Sequence, residues 1–108
     1  MAPISQPTFS PSDINIQGAT EALITNLNLT VSGNEYSHSL QSSLKTIEIK
    51  SRTNGELKIA FIIGDTAFNY YTIPPRCTFT LSGISFTGKT LYIQSSANND
   101  VAEILEIF

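Results

Sequence analysis

Few side chains in this sequence are of the types that do chemistry. The 108 residues include one histidine, His38, and one cysteine, Cys77. His38 has no second histidine or cysteine at metal-ligand spacing, and no nucleophile or orienting carboxylate can be assigned to it from the sequence. We therefore interpret His38 as a partly exposed strand residue. Cys77 alternates with Phe79 and Leu81, which predicts a small buried side chain, and a single cysteine excludes an internal disulfide.

The acidic residues outside the predicted strands are interpreted as turn formers. Asp65 and Asp100 fall in separate loops, and Asp13 lies near the N-terminus. The run 98–100 offers oxygen ligands, but a calcium loop needs about six to eight oxygens. The glycines at 83 and 88 precede a strand, whereas a phosphate-binding loop precedes a helix. We expect no catalytic residue, no cofactor and no bound metal, and hence a protein that is not an enzyme.

The bulk composition restricts the classes of partner. The net charge is −3, the pI is about 4.9, and only 14% of the residues are charged. Nucleic-acid binding needs a basic face that displaces counterions from phosphates, so no nucleic-acid partner is expected. The sequence has no run of about 18 apolar residues, so no membrane partner is expected either. Serine, threonine and asparagine instead indicate a polar, uncharged surface.

The stretch 44–64 gives the strongest structural signal. Two runs of alternating apolar and polar residues flank Thr53-Asn54-Gly55, and an Asn-Gly pair between such runs is typical of a β-hairpin. The predicted core of this stretch consists of aliphatic and aromatic residues on one face of each run: Ile47, Ile49, Leu57, Ile59, Phe61 and Ile63. Its basic residues alternate with glutamates, so we assign them to a solvated strand face.

The register of this stretch leaves two alternatives open. A two-residue turn would mix core and solvent residues on each face, which a buried sheet does not accept. A three-residue loop with a left-handed Gly55 in a bulge would pair Ile49 with Ile59 and Ile47 with Phe61. The second alternative is an arch, in which the two runs lie in facing sheets and share no register.

The rest of the chain repeats the pattern of short strands separated by Gly, Pro, Asn or Ser. The count is about seven or eight antiparallel strands at spacings of about 8 to 14 residues, which predicts an all-β sandwich of Greek-key or jelly-roll type. We divide the chain into an extended N-terminal arm, 1–18, and a β-sandwich domain, 19–108. The connection 83–88 contributes Ile84 and Phe86, which we expect to plug one end of the core.

Two sets of residues are candidates for interaction. The arm carries prolines at positions 3, 7 and 11, which favour an extended chain outside any sheet, and its apolar residues are candidate anchors on a neighbouring subunit: Ile4, Phe9, Ile14 and Ile16. The second set is an aromatic face drawn from strands and one loop, with Phe68, Tyr70 and Tyr71 as its main candidates beside Tyr36 and Tyr92.

The chain from residue 34 to residue 108 resembles small β-rich virion proteins of tailed bacteriophages. The segments that carry the resemblance are NEYSHSL, LKTIEIKSRTNGELKIAF, NYYTIP, GKTLYIQSSA and VAEILEIF. The resemblance implies a non-enzymatic structural protein of the virion, assembled in the host cytoplasm and located on the capsid as a decoration (cement) protein. It implies the major capsid protein or other virion subunits as partners, often bound by a homo-oligomer. The alternative is a carbohydrate-binding host-adhesion module, or an adaptor of the tail or neck.

Overall fold

The computed structural model describes residues 21–82 and 89–108. These residues form eight strands in the order β1 Ala22–Leu29, β2 Tyr36–Ser39, β3 Thr46–Ser51, β4 Leu57–Ala60, β5 Tyr71–Ile73, β6 Thr78–Ser82, β7 Thr90–Ser95 and β8 Asp100–Ile107. One turn of 3-10 helix, Asp65–Ala67, lies between β4 and β5. The all-β prediction is confirmed. The proposed arm and the residues 84 and 86 expected to plug the core fall outside the described residues.

The strands form two four-stranded antiparallel sheets. Sheet A has the order β1-β8-β3-β6 and sheet B the order β2-β7-β4-β5. The first strand therefore pairs with the last, the second with the seventh, the third with the sixth and the fourth with the fifth. This nested pairing is the jelly roll, one of the two sandwich types expected from the sequence.

The core lies between the sheets and is built from the inward residues of each alternating strand. Its buried members are almost all aliphatic: Leu29, Leu40, Leu44, Ile47, Ile49, Leu57, Ile59, Ile73, Leu91, Ile93, Ala102 and Ile104. Four of the six core residues predicted in the stretch 44–64 are confirmed as buried, and Phe61 packs against them while partly exposed. The prediction that Ile63 belongs to the core is wrong. It is 75% exposed, because β4 ends at Ala60 and the chain has left the sheet before residue 63.

The connection between β3 and β4, residues 52–56, is an arch. β3 belongs to sheet A and β4 to sheet B, so the two runs share no register and the bulged-hairpin alternative is wrong. Gly55 does not have the positive φ that a bulge requires. It is buried, and a Cβ at this position would overlap Asp100 Oδ2 and lie 2.5 Å from Ser95 Oγ. Position 55 therefore requires glycine, because only a residue without a Cβ lets the backbone lie this close to the side chains of Asp100 and Ser95.

Cys77 is exposed, which corrects the prediction that it is buried. β6 begins only at Thr78, and Arg76 just before it has a φ of 65°. The chain is thus still turning at residue 77, and the inward alternation starts with Phe79, which packs partly buried against the core. The alternation in the sequence extends one residue beyond the strand that it describes.

Candidate interaction surface

The connection between β4 and β5, residues 61–70, folds back against the outer face of sheet B, and we call it the outer loop. Its 3-10 turn contacts both β4 and β7. Thr66 is buried there, and its carbonyl oxygen accepts a hydrogen bond of 3.0 Å from Gln94 Nε2 on β7. Ala60 is also buried although it lies opposite Tyr92, away from the inward residues. The outer loop therefore packs on the sheet and does not project freely.

Glu35, just before β2, holds the outer loop from outside it. Its carboxylate accepts hydrogen bonds from Gly64 N–H at 2.9 Å, Thr66 N–H at 3.3 Å and Thr66 Oγ1 at 2.6 Å. Burial raises the pKa of Glu35, but these three hydrogen bonds outweigh that effect and leave the pKa below its ordinary value. The ionised carboxylate thus satisfies backbone donors of the loop. Gly64 supplies the turn with a φ of 86°.

We call this set of hydrogen bonds from the loop to Glu35 the Glu35 clamp. The clamp turns the polar groups of the outer loop inward, and the large apolar side chains of the loop are left in solvent. Ile62 is 64% exposed, Ile63 75% and Phe68 84%. Scattered single apolar residues are normal on a protein surface, but three large ones in one short loop make this loop a candidate interaction surface. Phe68 was among the residues predicted for interaction. Ile62 and Ile63 were not, because their pattern continues that of β4.

Tyr70 and Tyr71, the two other aromatic candidates, point to opposite sides of sheet B. The Tyr70 ring lies 4.6 Å from Lys58 Nζ, and Lys58 alternates with the inward residues of β4 and so faces outward. Tyr71 pairs with the core residue Ile59 and contacts the Phe79 ring with centroids 5.1 Å apart. Tyr71 is 60% exposed and Tyr70 40%, so both rings are accessible, but only Tyr70 lies on the side of sheet B that carries the outer loop.

The remaining candidates are dispersed. Tyr36 packs partly buried against the core, and its hydroxyl oxygen accepts a hydrogen bond from Val31 N–H. Tyr92 lies beside Ala60 on the outer side of sheet B and is half-buried. The arm residues Ile4, Phe9, Ile14 and Ile16 lie outside the described part of the chain.

Asp100 accepts several hydrogen bonds at the junction of the two sheets. Its carboxylate is buried and accepts hydrogen bonds from Ser95 Oγ at 2.6 Å, Ser51 Oγ at 2.8 Å, Thr53 Oγ1 at 2.8 Å and Val101 N–H at 2.7 Å. Burial raises its pKa, but these donors outweigh that effect and hold the pKa below its ordinary value. The carboxylate ties the arch to strands of both sheets. The sequence analysis interpreted Asp100 only as a turn former and did not identify this role in joining the sheets.

His38 is likewise tied to a carboxylate that the sequence did not reveal. His38 Nε2 lies 2.6 Å from Glu106 Oε1, and Gln41 N–H donates to Glu106 Oε2 at 2.9 Å. Glu106 is fully buried on β8 of sheet A, whereas His38 is half-buried on β2 of sheet B. The pair therefore joins the two sheets. His38 is a partly exposed strand residue, as predicted, and its carboxylate partner is one that could not be assigned from the sequence.

Within 21–82 and 89–108, no group of three or more His, Cys, Asp or Glu side chains is placed to hold a metal ion. The same residues contain no helix long and apolar enough to span a membrane.

Comparison with known proteins supports the fold and adds no family. Neither a protein-family model nor a curated protein sequence matches the chain. Among solved structures, the solution NMR structure of a de novo designed double-stranded β-helix matches with a TM-score of 0.51 and 11% sequence identity, covering 82% of this chain and 100% of the designed one. At that identity the likeness concerns the fold alone. The described chain is an eight-stranded antiparallel sandwich with the architecture of that design.

Proposed function

We propose that this chain is a non-enzymatic structural protein of a tailed-bacteriophage virion, which decorates the capsid and stabilises the lattice of the major capsid protein. The observation that carries the proposal is the outer loop, whose apolar side chains stand in solvent while its backbone is clamped by Glu35. The sequence resemblance supplies the kind of particle, and the loop supplies a surface suited to a protein partner.

A clamped loop is favourable for binding because little conformational entropy remains to be lost. Affinity depends on the ordering that association demands as well as on buried area. Apolar anchors held in place before contact, such as Ile63 and Phe68, resemble the few central residues that dominate many interfaces. Their burial against a capsid subunit provides the driving force without any catalytic step.

The sandwich acts as a rigid bridge between neighbouring subunits. Polar contacts at Asp100 and at Glu106 join its two sheets, and such buried contacts favour a single fixed arrangement of the sheets. The arm 1–18 provides a second contact, with Ile4, Phe9, Ile14 and Ile16 as anchors on an adjacent subunit or on another copy in a homo-oligomer.

The proposal is tested by co-sedimentation with capsids of the phage that lack this protein. The full chain is expected to saturate the capsids at a fixed ratio, and the double variant Ile63→Ser, Phe68→Ser to remain folded and unbound. Ile24→Ser is the matched control, since it removes a side chain 65% exposed on β1 of the other sheet. Equal occupancy by the double variant contradicts a role for the outer loop. Failure of the full chain to bind contradicts capsid decoration itself.

Host adhesion through a glycan, or a place in the tail or neck, gives different results in matched assays. Adhesion predicts glycan-array binding that disappears when Tyr70→Ala and Tyr71→Ala are combined, with no capsid binding by the full chain. A tail or neck adaptor predicts binding to those parts of the virion through the same outer loop. Deletion of the arm separates its contribution, because it removes residues upstream of β1 and spares the sandwich.

A further inference from the structure

A second surface lies beside the arch and differs in chemistry from the outer loop. A groove of about 270 Å³ runs between the end of β3, the arch and the turn that precedes β6. Three of the six basic residues of the chain line it: Lys50, Arg52 and Arg76. We call it the basic groove. Positive charge concentrated in one groove of a chain of net charge −3 would attract an anionic group.

Arg76 is the cation of this groove that is left for a ligand. Lys50 and Arg52 both pair with Glu103, at 3.4 Å and 2.7 Å. Arg76 makes no ion pair with a carboxylate of the described residues. Its Nε donates to Asn54 Oδ1 on the arch at 3.1 Å, which fixes one edge of the guanidinium and leaves its terminal N–H donors.

Arg76 occupies the third position of a tight turn, which fixes where its side chain leaves the backbone. Cys77 N–H donates to the Pro74 carbonyl oxygen at 3.2 Å, and the φ of Arg76 is 65°. A turn with proline at its second position and a positive φ at its third is a common type of tight turn. The turn and the hydrogen bond to Asn54 together place the guanidinium on the lining of the groove.

The charge balance favours a single carboxylate over a phosphate dianion. Three cations line the groove, Glu103 neutralises one positive charge, and the buried Asp100 behind Ser51 and Thr53 offsets another, so one positive charge remains. A guanidinium edge matches the two oxygens of a carboxylate. None of the described residues that line the groove is aromatic, so a sugar ring has no platform on which to stack.

We propose that the basic groove binds the side-chain carboxylate of an acidic peptide segment, with Arg76 as its main contact and Lys50 and Arg52 as the supporting charges. The proposal is independent of the outer loop, which has its own apolar partner. Recognition of acidic segments by clustered arginines is a recurring mode of peptide binding. If both surfaces are occupied, the sandwich joins an apolar protein surface at the outer loop to an acidic segment in the basic groove.

The test is a titration of the isotopically labelled full chain, followed by NMR, with a blocked peptide Gly-Asp-Gly-Asp-Gly and its Gly-Asn-Gly-Asn-Gly counterpart. We expect saturable shifts of the amides at 52–54 and 76–78 with the acidic peptide alone. Arg76→Gln is expected to weaken binding about tenfold. Lys45→Gln removes the same charge before β3, outside the groove, and is expected to change binding by less than about twofold.

A second measurement needs no variant and so does not depend on how Arg76→Gln folds. Cys77 is the single cysteine of the sequence, is exposed and lines the groove. The acidic peptide is expected to slow its alkylation by iodoacetamide, and the asparagine peptide to leave the rate unchanged. Equal effects of the two peptides, or no saturable shift with either, overturn the proposal. So does binding of inorganic phosphate or of glucuronate in preference to the acidic peptide.

Discussion

The arch and the outer loop leave the two ends of β4, and each is held by a carboxylate from a distant part of the chain. Asp100 holds the arch through Ser51 and Thr53, and Glu35 holds the outer loop through Gly64 and Thr66. In both places an ionised side chain replaces the water that loop donors would otherwise bind. The fold thus uses one device twice.

The two connections differ in what they bury. The arch buries its carboxylate, and Gly55 packs directly against that carboxylate, so the arch serves the junction between the sheets. The outer loop buries Thr66 and exposes Ile63 and Phe68, so it serves a surface. A loop fixed by a carboxylate can therefore complete the core, as the arch does, or hold apolar side chains in solvent, as the outer loop does.

The largest predicted contrast places the same substitution in the core and on the outer loop. Ile49→Asp buries an unpaired charge on β3, which costs on the order of 3–5 kcal/mol out of a typical total of about 5–15 kcal/mol, so this variant is expected to be largely unfolded. Ile63→Asp is expected to change the free energy of unfolding by less than about 0.5 kcal/mol. Urea unfolding of both variants measures the contrast, and similar midpoints would show that Ile63 is not a surface residue.

The two glycines test whether space or backbone conformation matters in each connection. Gly55→Ala forces a methyl group against Asp100 and Ser95, and we expect a loss of about 2–3 kcal/mol. Gly64→Ala has open space around its Cβ but retains a φ of 86°, and we expect a loss of about 1 kcal/mol. Denaturant midpoints give both values. The reverse order would refute the close approach at Gly55.

The two carboxylates test the clamps and their dependence on pH. Asp100→Asn is expected to cost about 2 kcal/mol at pH 7 and Glu35→Gln about 1 kcal/mol, because Asp100 is buried and Glu35 only partly so. Both pKa values are lowered in the folded state, so the unfolded chain binds more protons between the folded and ordinary values. The stabilisation is complete above the ordinary value of about 4 and is lost as the pH falls through the folded pKa.

The pH dependence is read from unfolding free energies of the parent and the Asp100→Asn variant. Their difference is expected to shrink as the pH is lowered from 6 toward 2, because protonation removes from the parent what the substitution removes from the variant. A constant difference over that range would mean that the charge of Asp100 contributes nothing to the arch.

The smallest predicted effect is a local change in the rate of amide hydrogen exchange in the outer loop. Glu35→Gln is expected to speed hydrogen exchange of the Gly64 and Thr66 amides about tenfold, since both donate to the Glu35 carboxylate. The Arg52 amide, which donates to the Val101 carbonyl oxygen beside the arch, is the internal control and should speed up by no more than about fivefold, the factor that a global loss of about 1 kcal/mol gives. Exchange that rises equally at all three amides would indicate global destabilisation instead of a released loop.

The strands were predictable because alternation records which face of a strand is buried. Ile47 and Ile49, and Leu57 and Ile59, were identified as core in this way, and the sandwich class followed from the spacing of the turns. The same pattern failed at Ile63 because alternation in the sequence continues after β4 has ended. Periodicity shows what a strand would bury but not where pairing stops.

The clamps were not predictable, since each joins residues that are far apart in the chain. Glu35 reaches Thr66, Asp100 reaches Ser51, and Glu106 reaches His38, in every case between elements that only the tertiary fold brings together. A carboxylate in a turn has the same local signature whether it faces solvent or donors. The outer loop was therefore read as a place for aromatic residues, and its inward polar face was missed.

A cryo-electron microscopy map of the decorated capsid is the sharpest test of capsid decoration through the outer loop. Density for the sandwich is expected on the capsid, with the outer loop, and Ile63 and Phe68 in particular, buried against the major capsid protein. A sandwich bound through another surface with the outer loop in solvent would contradict the role given to the loop, and a capsid without this density would contradict decoration.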